Sequence, residues 1–162
     1  MNAAAVATMA AAPPTAPDGL VETYRGTVYP WHCDHMGHMN VMWYVGKFDE
    51  ATWHLFRMVG LSSAWLKANG RGMAAVEQRI AYQRELHAGA TVVVRSTVLE
   101  VREKVLRFVH QMVDAETETV SATTLLVAAH TDSQLRKATA FPPQVAEQAR
   151  ALLGTVTLPW RD

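Results

Sequence analysis

Nineteen residues, Val41 to Val59, run without a proline and repeat their apolar members at helical spacing. Val41, Val45, Phe48, Thr52, Leu55 and Val59 recur along one stripe. Asn40 is suited to cap the start, and Gly60 to end it in a left-handed conformation. The spacing predicts a single helix of about five turns. Gly46 within it costs about 1 kcal/mol against Ala, which points to close backbone packing at that position.

The segments on either side follow a different period. Leu20 to Tyr29 is rich in β-branched and aromatic residues and stops at Pro30, as a first strand would. Leu61 to Asn69 reads as a short helix before Gly70-Arg71-Gly72. Beyond it Val76, Ile80 and Tyr82 alternate with Glu77, Arg79 and Ala81. Thr91 to Val101, Leu106 to Val113 and Val120 to His130 read as an antiparallel meander, and Pro142-Pro143 introduces a C-terminal helix, Gln144 to Leu153, with a short tail. The predicted class is α+β: one long helix covering one face of a five-stranded antiparallel sheet. The other face and the edges are left in need of partners, so an oligomer is expected. Three units are expected: an Ala/Pro-rich mobile tail over 1–18, a domain over 19–141, and the C-terminal helix and tail over 142–162.

Composition narrows what such a domain does. The 162 residues suffice for one core, and 15 basic residues balance 15 acidic ones. That balance gives no electrostatic footprint for nucleic acid and no basic run for a membrane surface. No apolar stretch is long enough to span a bilayer. Cys33 is the only cysteine, so nothing points to a disulfide framework or an oxidising compartment. The first 18 residues hold eight Ala and three Pro and lack the basic residues of a signal or transit peptide. A cytoplasmic location is expected.

The densest polar segment is the turn Trp31 to Asn40, with His32, Asp34, His35, Gly37 and His38. Three readings are open. Asp34 and Asn40 suit a turn by satisfying backbone donors, with the histidines solvated. The imidazoles and the carboxylate are also zinc or iron ligand types, although their spacing matches no metal motif. The third reading is acyl transfer. A carboxylate serves as base or nucleophile, and a helix start supplies unpaired N–H groups and a positive dipole end for the developing oxyanion. Asp34, seven residues before Val41, puts both parts on one turn.

Cys33-Asp34-His35-Met36-Gly37-His38-Met39-Asn40, followed by Trp43-Tyr44 and Phe48-Asp49-Glu50-Ala51, resembles the hotdog-fold thioesterases of the 4-hydroxybenzoyl-CoA thioesterase type. The resemblance covers about Leu20 to Ala140, because the strand order fits as well. It implies a hotdog fold, acyl-CoA as substrate, and hydrolysis without metal or redox cofactor. It also implies a homodimer or homotetramer with its site at the subunit interface. Asp34 falls at the family's catalytic carboxylate, nucleophile or general base. Val41 falls at the position whose backbone N–H polarises the carbonyl, and Gly37 at the tight turn. His38 and Asn40 correspond to residues that shape and cap the pocket, and His38 orients or lines it more than it moves protons. His38-Met39-Asn40 replaces a more apolar run after Gly37, so the acyl group is not fixed as 4-hydroxybenzoyl.

Tyr44 and Glu50 are expected on the substrate side, with Glu50 the fallback carboxylate should Asp34 point away; a solvated helix face is the plain alternative for Asp49 and Glu50. Trp31, Met36, Met39, Met42, Trp43 and Trp53 are read as acyl-pocket lining or core, and Met and Trp at helical spacing favour core. Cys33 lacks a dedicated base, and an adjacent carboxylate raises a thiol pKa. Two other functions stay open: a non-catalytic acyl-CoA-binding module, and an enoyl-thioester hydratase or lyase on the same fold.

Overall fold

A computed structural model describes residues 19–160; the expected tail over 1–18 and residues 161–162 lie outside the described residues. The elements are β1 (Val21–Thr27), α1 (Val41–Met58), α2 (Ser63–Ala68), β2 (Arg71–Tyr82), β3 (Thr91–Val101), β4 (Val105–Asp114), β5 (Val120–Asp132), β6 (Lys137–Ala138) and α3 (Pro143–Ala151). The strands form one antiparallel sheet in the order β1-β3-β4-β5-β2. β6, absent from the expected five strands, adds two residues against Thr131 and Asp132 of β5. Too short for any periodic signal, it follows a turn in which the Asp132 carboxylate accepts from the Gln134 and Leu135 N–H groups.

Helix α1 crosses one face of the sheet against β1, β3 and β4. Its buried side is Tyr44, Lys47, Phe48, Ala51, Thr52, Leu55 and Phe56, while Val41 is 53% exposed and Val45 39%. The buried stripe is therefore rotated from the expected one at its N-terminal end, and two valines face outward. Gly46 has no atom within 4 Å of where a Cβ would stand, so the expected close packing is not there. Gly60, at φ +90°, ends the helix as its position predicts.

Two apolar clusters lie under the helix. Val28, Met39, Tyr44, Phe48, Val92, Val94 and Met112 pack around its first half. Leu55, Phe56, Val59, Val98, Phe108, Val145 and Ala149 pack around its second. The C-terminal helix is thus part of the core. Between the clusters sits His110, fully buried. Its Nε2 lies 2.9 Å from Thr52 Oγ1, whose proton goes to the Phe48 carbonyl at 2.8 Å, so Nε2 must donate. Nδ1 then accepts from Ser96, whose oxygen also meets Thr23. One directional chain ties β1, β3, β4 and α1 together with the imidazole neutral. Burial pushes its pKa down to about 3.

The opposite face of the sheet is covered by the chain itself along one cross-strand row, while Glu77, Arg107 and Val127 line an open depression beside it. From Leu152 to Trp160 the chain alternates half-buried and exposed residues, with Val156, Leu158 and Trp160 turned inward. Gly154 packs against Thr97 and bonds Val98, and Trp160 lies 4.7 Å over the Arg79 guanidinium. Thr97, Val109, Leu125 and Arg79 form one cross-strand row from β3 to β2. Seven extended residues reach about 20 Å, enough to cross the three strand spacings of about 14 Å. The edge strand β2 also stays uncovered, with Ala74 to Arg79 exposed. No helix among the described residues is long and apolar enough to cross a membrane.

The neutral His110 makes stability pH-dependent. An unfolded imidazole binds its proton near pH 6.5 and the folded one only near pH 3, so acid favours unfolding throughout that window. The slope from this residue approaches ~1.4 kcal/mol per pH unit. Denaturant titrations at pH 7 and pH 4.5 should show that loss in the wild type and a smaller one in His110→Leu, which is less stable at pH 7.

Candidate active site

The turn before α1 is closed on itself. An isolated bridge pairs Cys33 with Met39, the Asp34 N–H donates to the His38 carbonyl at 3.2 Å, and the Gly37 N–H returns to the Asp34 carbonyl at 3.0 Å. Gly37 takes φ +84°, a conformation that disfavours any side chain. Met39 donates to the Leu86 carbonyl at 2.7 Å, and His87 Nδ1 lies 3.1 Å from the Gly37 carbonyl, so the segment after β2 braces the turn from outside.

Within this turn the Asp34 carboxylate is fixed from both sides. Oδ1 accepts from the Met36 N–H at 2.8 Å, and Oδ2 from Asn40 Nδ2 at 2.7 Å. The Asn40 bond is the main reason its pKa lies below the ordinary carboxylate range, with the Met36 N–H next. Asp34 is therefore ionised at neutral pH, and each oxygen keeps a lone pair.

Asn40 has a second duty. Its Oδ1 accepts from the Met42 N–H at 3.0 Å, and its backbone carbonyl from Trp43 at 3.0 Å, which makes it the helix cap. The Val41 N–H, the first in the helix, has no acceptor among the described residues, as helix geometry dictates. One side chain thus holds a carboxylate next to an unpaired N–H at the positive end of an 18-residue helix.

His38, Val41 and Tyr44 line one open cleft of about 340 Å³, whose far wall is the Tyr82–Glu85 segment. His38 Nε2 lies 3.6 Å from the Glu85 carboxylate. The Tyr44 hydroxyl donates to the Arg84 carbonyl at 3.4 Å, and burial pushes its pKa up to about 12, so it stays protonated. Of the residues expected at the site, His38, Val41 and Tyr44 line this cleft, and Asp34, Gly37 and Asn40 belong to the hydrogen-bonded turn that adjoins it. Glu50 does neither: nine residues after Val41 put it about half a turn around the helix. It lines a separate depression with Lys47 and Trp31.

Asp49, one residue earlier, lies on the Val41 side. It lines a more enclosed cavity of about 130 Å³ with Val45, Thr52, Trp53, Phe56 and Phe108. The helical angle carried this signal, since Val41, Val45 and Asp49 recur every fourth residue. The Tyr82–Glu85 wall had no such local signal. His32 is buried and accepts from the Tyr29 N–H, a structural pin whose pKa burial lowers. Among the described residues no group of three or more His, Cys, Asp or Glu is placed to hold a metal ion.

Comparison with known proteins places the domain in a family. Residues 28–149 match the family model described as the thioesterase-like superfamily. An Agrobacterium fabrum L-carnitine dehydrogenase/betainyl-CoA thioesterase is 32% identical over 110 residues, covering 68% of this chain and 22% of that protein. A Pseudomonas aeruginosa betainyl-CoA thioesterase is 30% identical over 93 residues, covering 57% of this chain and 58% of its own. The chain thus spans less than two thirds of the length of either relative. A Staphylococcus aureus protein solved in complex with CoA superposes with a TM-score of 0.79 at 21% identity, covering 86% of this chain and 89% of that one. The fold is the hotdog fold.

The double role of Asn40 predicts a double effect. Asn40→Ala should lose about 1 kcal/mol of stability through the cap. It should also raise the Asp34 pKa toward the ordinary carboxylate value, read by NMR titration of the side-chain carboxyl carbon. An unchanged Asp34 titration would show that the Asn40 bond does not hold the carboxylate.

Proposed function

The chain belongs to the thioesterase-like superfamily, and from that premise we propose that it hydrolyses an acyl-CoA thioester to a free acid and CoA. The observation that carries this reading is the double engagement of Asn40, which joins the ionised Asp34 to the start of α1. A thioester carbonyl seated in the cleft lies between them. Its oxygen accepts from the Val41 N–H, so charge that develops there meets a donor and a helix dipole already in place. Asp34 either takes the proton of a water that attacks the carbonyl carbon and displaces the CoA thiolate, or attacks that carbon itself, expelling the thiolate and leaving an acyl–aspartyl anhydride that water then hydrolyses to the free acid. A depressed pKa favours the ionised form that either role requires and lowers its strength as a base. Gly37 keeps the turn open to the substrate, and His38 orients within the cleft wall beside Glu85. These roles need no metal or redox group.

The reading includes a homodimer or homotetramer working in the cytoplasm. The exposed β2 edge supports the first part, since a twelve-residue strand with an unpaired side invites a second copy. The cleft wall Tyr82–Glu85 directly follows that edge. The balanced charge and single cysteine support the second.

A thiol-reactive dye followed over short, branched, aromatic and betainyl acyl-CoAs tests the activity. Wild type should release thiol from at least one, and Asp34→Asn should be slower by about 100-fold or more. Near-wild-type release by Asp34→Asn would remove that carboxylate from the reaction, and binding without release across the panel would favour a non-catalytic module. For the assembly, Val76→Lys on the β2 edge should shift light-scattering mass toward the monomer and lower activity with it. An unchanged mass would place the interface elsewhere.

A further inference from the structure

The small cavity on the Asp49 side of α1 is lined by groups that a plain hydrocarbon does not require. Trp53 and Phe56 have ring centroids 5.7 Å apart at 87°, and Phe56 and Phe108 lie 5.6 Å apart at 74°. Three successive rings, each nearly perpendicular to the next, line one small space. Among the described residues, the only charged side chain lining that space is Asp49; no Lys, Arg or His does. Asp49 makes no hydrogen bond or ion pair with any described residue. Nearby donors are turned away. The Thr52 proton goes to the Phe48 carbonyl, and Gln78 Nε2 points at Thr124 Oγ1, 3.4 Å distant. Among the described residues the lining therefore carries three aromatic rings and one carboxylate, and no positive side chain.

We propose that this cavity selects acyl groups ending in a small quaternary ammonium, with Asp49 as counter-charge and Trp53, Phe56 and Phe108 as an aromatic cage. This rests on the hydrolase reading and names its substrate class. Aromatic faces attract alkylammonium cations strongly once water is excluded. A cavity of about 130 Å³ is of a size to seat a compact head group. Asp49 is eight residues past Val41, a rise of about 12 Å, and helix side chains lean back toward the N-terminus. Val45 lies between them on the same face. A carbonyl at Val41 is then joined to a cation at the cage by a short spacer.

Charge is isolated from shape by isosteric pairs: trimethylammonioacetyl-CoA against 3,3-dimethylbutanoyl-CoA, and 4-trimethylammoniobutanoyl-CoA against 5,5-dimethylhexanoyl-CoA. Wild type should prefer the cation in at least one pair by about tenfold or more in kcat/KM. Asp49→Asn should bring that ratio toward one, and Trp53→Leu should lower it. Equal handling within both pairs overturns the proposal, as does a ratio that survives Asp49→Asn. Equal silencing of both members by Asp49→Asn also overturns it, because Asp49 would then belong to bond breaking. Should no acyl-CoA release thiol, the hydrolase reading falls on its own, and binding still decides the cage. Titration with tetramethylammonium chloride against tert-butanol should show saturable binding of the cation by wild type and not by Asp49→Asn. No such binding overturns the cage.

Discussion

The chain of hydroxyl groups around His110 decides where α1 lies on the sheet. Apolar contacts alone would let the helix slide or roll, because the two clusters beneath it are formed of interchangeable aliphatic and aromatic surfaces. The polar chain removes that freedom. Thr52 has to meet Nε2, Ser96 has to meet Nδ1, and any other placement leaves buried donors without acceptors. With the helix fixed at Thr52, the angles of Val41, Val45 and Asp49 are fixed as well, and with them the side of the molecule that receives a ligand.

From that fixed helix the site needs few residues. Asn40 caps the first turn and holds Asp34, so the geometry of the carboxylate follows from the geometry of the helix end. The bracing of the turn by Leu86 and His87 adds a second dependence. The segment after β2 forms the far wall of the cleft and also steadies the near one. Displacing β2 would therefore disturb the carboxylate as well as the edge of the sheet.

Much of this was legible in the sequence, for local reasons. The long helix, the meander and the Asp34-to-Asn40 turn are set by periodicity, caps and a left-handed glycine, which act within a few residues. The exposure of Val41 and Val45 was not legible, because a helical stripe of apolar residues does not say which end turns away from the core. Lys47 shows the same limit: a buried lysine is accommodated only because the Tyr24 hydroxyl and the Thr27 carbonyl come from another strand. Asp49 and Glu50 are neighbours in sequence yet line different depressions, and the angle counted around the helix from Val41 separates them. The C-terminal segment did carry a signal, the alternation of Val156, Leu158 and Trp160, but three apolar residues ending in Pro159-Trp160 are too few to tell a strap from a tail.

That strap limits how many neighbours the molecule can have. A bare outer face would let two sheets stack back to back, and copies could then accumulate in layers. Here the row from Thr97 to Arg79 is already occupied by the chain's own last residues. A second sheet could dock there only after Trp160 was lifted off its guanidinium and Val156 and Leu158 were returned to water. The strap thus closes one row of the outer face against any other sheet, while the β2 edge keeps its unpaired side open.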